Sequence, residues 1–190
     1  MQPATLDASA PSSGSATADA RPPEPSPAVG ALLAGDGTVT RMLEAWFGSP
    51  VRVETLSNVV LRPCRQPAEL ALEPRDALLR RAVILRLADG DRPLLRARAA
   101  VALERVPAGA RAALLAGDQP IGRLFGEVGL ETRRELLYWR ASRCAPRDAE
   151  QLELGRSTPV FERAYRIISG SRPLALVVER IPATIFEERR

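Results

Sequence analysis

Two apolar runs joined by a short polar turn near the C-terminus restrict this chain to folds built on antiparallel strands. Val160 to Ile168 and Leu174 to Ile181 carry the β-branched and aromatic residues that favour extended backbone. Between them, Ser169-Gly170-Ser171-Arg172-Pro173 supplies the residues of a tight turn. An earlier pair repeats the pattern: Arg80 to Leu87, the turn Ala88-Asp89-Gly90-Asp91, then Leu94 to Leu103. Hairpin connections between sequence neighbours imply a mainly antiparallel sheet.

Each hairpin carries one charge where an apolar side chain is expected. Side chains alternate faces along a strand, so Glu179 shares a face with Ala175, Val177 and Ile181. Arg81 falls in register with Leu79, Val83, Leu85 and Leu87, while Arg80 and Arg86 take the other face. A charge on an apolar face loses hydration unless something compensates it. Opposite charges on separate strands make either an internal ion pair or a polar ligand site, and the two residues alone leave both open.

Composition closes several kinds of chemistry. The chain has 27 basic and 23 acidic residues, every basic one is arginine, and lysine and histidine are absent. Arginine stays charged at working pH and is no proton shuttle. Lysine Schiff bases, Ser-His-Asp or Cys-His catalysis and a phosphate-loop lysine are excluded. The Arg and Ala bias is what a codon-biased genome produces. A net charge of +4 with few aromatics makes no stacking or backbone-tracking groove, so no nucleic-acid partner is expected. Cys64 and Cys144 have neither the spacing nor the histidine company of a metal or redox site, and read as reduced thiols of a cytoplasmic protein, with a lone disulfide between them the lesser alternative. No cofactor is implied. No run reaches the roughly 18 apolar residues of a membrane span, and a secretory signal is not recognisable.

Residues 1–28 are rich in Ala, Pro and Ser and hold six of the 17 prolines. Such a segment cannot bury enough apolar surface to offset its ordering entropy and is expected to be disordered. Residues 29–190 form one domain of ordinary size. It opens with Thr38 as a helix cap, after which Val39, Met42, Leu43, Trp46 and Phe47 recur at helical spacing as a core stripe before Gly48. Val51 to Leu61 and Thr132 to Ala141 read as further strands. Short helices start at Pro107 and Pro120, the second with an apolar stripe of Ile121, Leu124, Phe125 and Val128. The expected class is α+β, with helices covering one face of the sheet.

Three segments carry a family resemblance: Arg81-Ala82-Val83-Ile84-Leu85, Gln119-Pro120-Ile121-Gly122-Arg123-Leu124-Phe125, and Leu176-Val177-Val178-Glu179-Arg180-Ile181-Pro182. They resemble chorismate pyruvate-lyase. The opening Gly37-Thr38-Val39-Thr40-Arg41 and the run Arg163 to Gly170 resemble most closely the branch that makes 4-hydroxybenzoate for bacterial phenolic lipids. The resemblance implies a chorismate-lyase-like fold, a monomer, and an elimination in which chorismate loses pyruvate and its ring aromatises. Such a reaction needs orientation and charge stabilisation more than a nucleophile. The resemblance further implies that Arg81 grips the ring carboxylate, aided by the backbone at Ile121 and Gly122. Glu179 would meet the ring oxygen opposite, and backbone near Val39 would close that end. By alignment Arg98 lines an inner part of the cavity, although alternation groups it with Arg96.

The segment from Arg143 to Gly155 departs from the lyases in length and character, and Arg180 stands where an apolar residue is common. A structural ion pair remains the plain alternative for Arg81 and Glu179, and Arg133-Arg134 reads as solvated charge. The same fold also serves as the effector domain of certain transcription regulators. The residues before Gly37 are too few for a winged helix-turn-helix, so a free-standing aromatic-acid-binding module is the functional alternative.

Overall fold

The computed structural model describes residues 23–62, 67–73, 76–155 and 158–187. Its strands are β1 (Val51–Leu61), β2 (Leu78–Leu87), β3 (Pro93–Ala102), β4 (Arg133–Arg143), β5 (Pro159–Ser169) and β6 (Arg172–Pro182). They form one six-stranded sheet in the order β1-β2-β3-β6-β5-β4, antiparallel at every pairing. The two hairpins lie side by side, so β3 and β6 are central and β1 and β4 are the edges. This is the α+β architecture expected from the hairpin pattern.

The helices are α1 (Pro27–Ala34), α2 (Val39–Phe47), α3 (Ala108–Ala116), α4 (Ile121–Glu127) and α5 (Pro146–Gln151). Helix α1 goes beyond the expected elements. Ser26 caps it, Pro27 occupies its first turn, and it buries Val29, Leu32 and Leu33. Of the stretch expected to be disordered, residues 1–22 lie outside the described residues. Helix α2 follows the expected limits and ends at Gly48 in the left-handed conformation.

Two apolar clusters divide the inner face of the sheet. At one end α1 and α2 place Val29, Leu32, Leu33 and Leu43 against Val83, Leu85, Leu95, Phe161 and Ile181. At the other end α3 and α4 place Ala110, Leu114, Leu124 and Phe125 against Leu79, Val101, Ile167 and Val177. The expected α2 core stripe is only partly inside. Leu43 is buried, whereas Trp46 is 55% exposed with its ring tilted against Phe186, because α2 lies against the edge strand β1 and turns that side outward.

Helix α5, in the segment that departs from the lyase pattern, sits on the opposite face, where Ala149 packs with Cys144 and Val160. Asp148 of α5 accepts from Arg180 and pairs with Arg96 at 3.1 Å. Arg180 also reaches Glu162, which Arg140 meets at 2.6 Å. Arg180 thus points away from the inner face, as alternation requires. Among the described residues no helix is long and apolar enough to cross a membrane.

Candidate functional site

Between the two clusters the inner face is hollow. Strand β3 turns Leu95, Ala97, Ala99 and Val101 inward, and the two alanines leave a gap where their neighbours fill space. The cavity over this floor has an interior of about 70 Å³, several times the ~10–15 Å³ that one ordered water needs. Arg81 and Glu179 both line it, with Val39, Ile121, Gly122, Arg134 and Tyr165 among the walls. The structure therefore brings together five of the six residues singled out in the sequence.

Arg98 does not join them. It stands opposite Ala82 on β2 and Val178 on β6, faces the other side of the sheet, and lies among Arg80, Arg96 and Arg147 there. Strand alternation, not alignment, decided its place.

Arg81 and Glu179 are not paired with each other. Arg81 stands opposite Ala99, and Glu179 opposite Ala97, so strand β3 runs between them. Two strand spacings and a two-residue offset separate their Cα atoms by about 12 Å. Each is 4% exposed and is held by other partners.

Arg81 donates through Nη2 to the carbonyls of Gly117 (2.7 Å) and Gln119 (2.9 Å). Its Nε and Nη1 are buried without a partner among the described residues. Burial lowers its pKa and the charge of Asp118 works the other way; a guanidinium remains a cation regardless. Gly117 is what allows the anchor. It closes α3 at φ +77, and an added Cβ would lie 2.9 Å from Asn58 Nδ2, which itself donates to the last carbonyls of α3.

Glu179 accepts from Arg163 Nε at 3.1 Å on one oxygen and from the Tyr165 hydroxyl at 2.9 Å on the other. Arg163 is 1% exposed and also donates to Leu32 and Gly35 at the end of α1, where a cation suits the helix dipole. Burial, and then the charge of Glu179, raise the Tyr165 pKa far above the ordinary phenol value. The hydroxyl thus stays protonated and donates. Each carboxylate oxygen keeps a free lone pair for a ligand.

Sequence reading missed Arg163, Tyr165, Arg134 and the alanine floor. The first two were within reach, since Phe161, Arg163, Tyr165 and Ile167 alternate as a face of β5, with Arg163 an inward charge like Arg81. Arg134 gave no such signal, because charged neighbours flank it. It donates to Thr38 Oγ1 at 3.2 Å, so it is not the solvated charge expected. Gly122 makes this possible, as a Cβ there would sit 2.8 Å from Arg134 Nη2 and 3.0 Å from Thr38.

Among the described residues no cluster of His, Cys, Asp or Glu could hold a metal ion. Cys144 is a buried free thiol on the other face of the sheet, with its pKa pushed up by burial and by Asp148, and Cys64 lies outside the described residues.

A family model described as "Chorismate pyruvate-lyase Rv2949c-like" matches residues 33–188. The chain belongs to this family. Within it, the chain is 24% identical over 164 residues to a chorismate pyruvate-lyase of Mycobacterium tuberculosis H37Rv, covering 83% of this chain and 80% of that protein. A chorismate pyruvate-lyase of Mycobacterium bovis matches to the same extent. Solved structures share the fold of this chorismate pyruvate-lyase family member at lower identity. The effector domain of PhnF from Mycobacterium smegmatis superposes with a TM-score of 0.63 at 15% identity, over 78% of this chain and 90% of that one. YydK of Bacillus subtilis, described as a possible transcriptional regulator, gives 0.55 at 11% identity, and the chain spans 58% of its length. These likenesses establish the fold.

Proposed function

We propose that the protein is a chorismate pyruvate-lyase, converting chorismate to 4-hydroxybenzoate and pyruvate in the cavity between the two apolar clusters. One observation carries the reading: a small apolar space with unsatisfied arginine donors at one end and a carboxylate at the other. An aromatic-acid ring with a para oxygen has that polarity. Arg81 would hold the ring carboxylate through its free N–H groups, a charge-assisted bond in a dry site. The first-turn amides of α4 at Ile121 and Gly122, which lack intrahelical acceptors, would add donors. Glu179 would accept from the ring hydroxyl, and backbone near Val39 would close that end.

In the reaction the C3–O bond breaks and the proton on C4 leaves, so the ring becomes aromatic. The released enolpyruvate takes up a proton on its methylene carbon and becomes pyruvate. Glu179 lies at the end of the cavity where the C4 proton departs. Aromatisation supplies the driving force, and the site contributes orientation and charge stabilisation. On this reading the protein works as a cytoplasmic monomer without a cofactor.

The likeness to effector domains favours a second reading, binding of an aromatic acid without turnover. Incubating the purified protein with chorismate and following pyruvate and 4-hydroxybenzoate separates them. Stoichiometric appearance of both products is expected. Tight binding of 4-hydroxybenzoate with no product formed from chorismate would leave only the second reading.

A further inference from the structure

Chorismate carries two carboxylates, one on the ring and one on the enolpyruvyl side chain. The lyase reading uses Arg81 for the first and leaves the second without a counter-charge. A carboxylate taken out of water without one is costly.

Among the described residues the cavity lining holds one further cation, Arg134. It projects from β4 opposite Ile167, so it shares the inner face with Tyr165 and Ile167. Its guanidinium carbon lies 6.0 Å from the centre of the Tyr165 ring, and Tyr165 in turn binds Glu179. Arg134 therefore stands on the flank of the cavity, between Tyr165, which binds Glu179, and Gly122, beside the carboxylate grip of Arg81. It donates to Thr38 Oγ1 and, at 3.4 Å, to the Asp36 carbonyl. It makes no ion pair among the described residues, and its Nε is buried without a partner. Its charge is thus held in place but not neutralised.

Its position is also at a boundary. Thr38, Thr40, Gly122 and Arg134 line both the cavity and an open vestibule that continues past Arg41, Glu44 and Arg123. The enolpyruvyl group hangs on C3, next to the C4 hydroxyl that faces Glu179. A substituent on C3 leaves the C1–C4 axis sideways, so with the ring carboxylate on Arg81 the side-chain carboxylate projects to the flank that opens into the vestibule, where Arg134 stands.

Resting on the lyase reading, we propose that Arg134 binds the enolpyruvyl carboxylate. It distinguishes the dianionic substrate from the monoanionic aromatic product, and after C3–O cleavage it faces the departing pyruvate at the vestibule. The competing role is a brace that only ties β4 to the loop before α2.

Arg134→Gln and Arg134→Lys, each first shown to melt cooperatively, separate the two. Chorismate kcat/KM and KM are measured beside the inhibition constant of 4-hydroxybenzoate, which lacks the second carboxylate. Arg134→Gln should lower kcat/KM for chorismate by roughly 30- to 1,000-fold. Its 4-hydroxybenzoate constant should stay within about threefold, and lysine should restore part of the loss. Parallel loss of chorismate and 4-hydroxybenzoate, or unchanged kcat/KM in Arg134→Gln, would overturn the proposal. If the wild-type protein binds chorismate without converting it, the lyase reading fails. The ratio of the two affinities in wild type and variant then still decides Arg134. If it binds neither acid, both readings fall.

Discussion

Arg81 and Glu179 look alike in the sequence, each a charge in an apolar strand, yet the structure treats them differently. Glu179 has both oxygens engaged by Arg163 and Tyr165, whereas Arg81 spends only Nη2 and keeps two buried donors open. A buried donor without a partner costs free energy that a ligand can recover. Arg81→Ala should therefore remove most carboxylate binding. Truncating one partner of a buried charged pair typically costs about 2–5 kcal/mol, so kcat/KM for chorismate should fall ~30- to 1,000-fold or beyond. Steady-state kinetics on the folded variant would check this, and near-normal turnover would remove Arg81 from the site. Glu179→Gln is the matching probe of charge. Its amide keeps the shape, but its NH₂ end would face Arg163 or the Tyr165 hydroxyl, so kcat should drop more than KM rises.

At the scale of elements, the site depends on where helices stop. Helix α3 ends at Gly117 because only glycine takes the left-handed conformation there without strain, and that turn aims a carbonyl at Arg81. A Cβ would add a clash with Asn58, which caps the same helix end from β1. Gly117→Ala should cost about 1–2 kcal/mol from backbone strain, lowering Tm by roughly 2–8 °C in a chain of this size. Differential scanning calorimetry reads the stability, and the 4-hydroxybenzoate affinity reads any displacement of Arg81. An unchanged Tm would show that α3 can end elsewhere. The hairpins, α2 and the starts of α3 and α4 were legible because alternation, glycine and proline mark them locally. Helices α1 and α5 were not. Each starts at a proline, but α1 begins inside the Ala, Pro and Ser-rich stretch and α5 is a charged turn without an apolar stripe; packing of Leu32 and Leu33 under the sheet holds the first, and pairing of Asp148 with Arg96 and Arg180 above it holds the second.

On the scale of the whole molecule, charge is distributed by face. The outer face carries a linked network in which Arg140 and Arg180 surround the buried Glu162, and Asp148 joins Arg180 to Arg96. Burial alone would raise the Glu162 pKa, but the hydrogen bonds and charges of Arg140 and Arg180 prevail and hold it below its usual value. A carboxyl depressed in the folded state stabilises the fold above its unfolded pKa, about 4.3. That contribution is lost as pH falls through the lower folded value. Urea midpoints measured from pH 7 to pH 3 should therefore fall at the acid end. Glu162→Gln should start lower at pH 7 and show a shallower acid decline. Parallel curves for the two proteins would mean the network contributes no acid sensitivity.

Sequence alone determined the strands, their hairpins, the inward facing of Arg81 and Glu179, and the absence of histidine and lysine chemistry. All of these follow from local alternation, turn residues and composition. Tertiary structure decided how the hairpins dock. Placing β3 between β2 and β6 set Arg81 and Glu179 too far apart to neutralise each other and put Ala97 and Ala99 between them as a hollow floor. It also drew Arg134 from the sheet edge into the cavity wall. Strand order and side-chain reach depend on contacts between residues distant in the chain, and no local pattern encodes them. The two inward charges were readable in the chain; that they face each other across a vacant space was set only by folding.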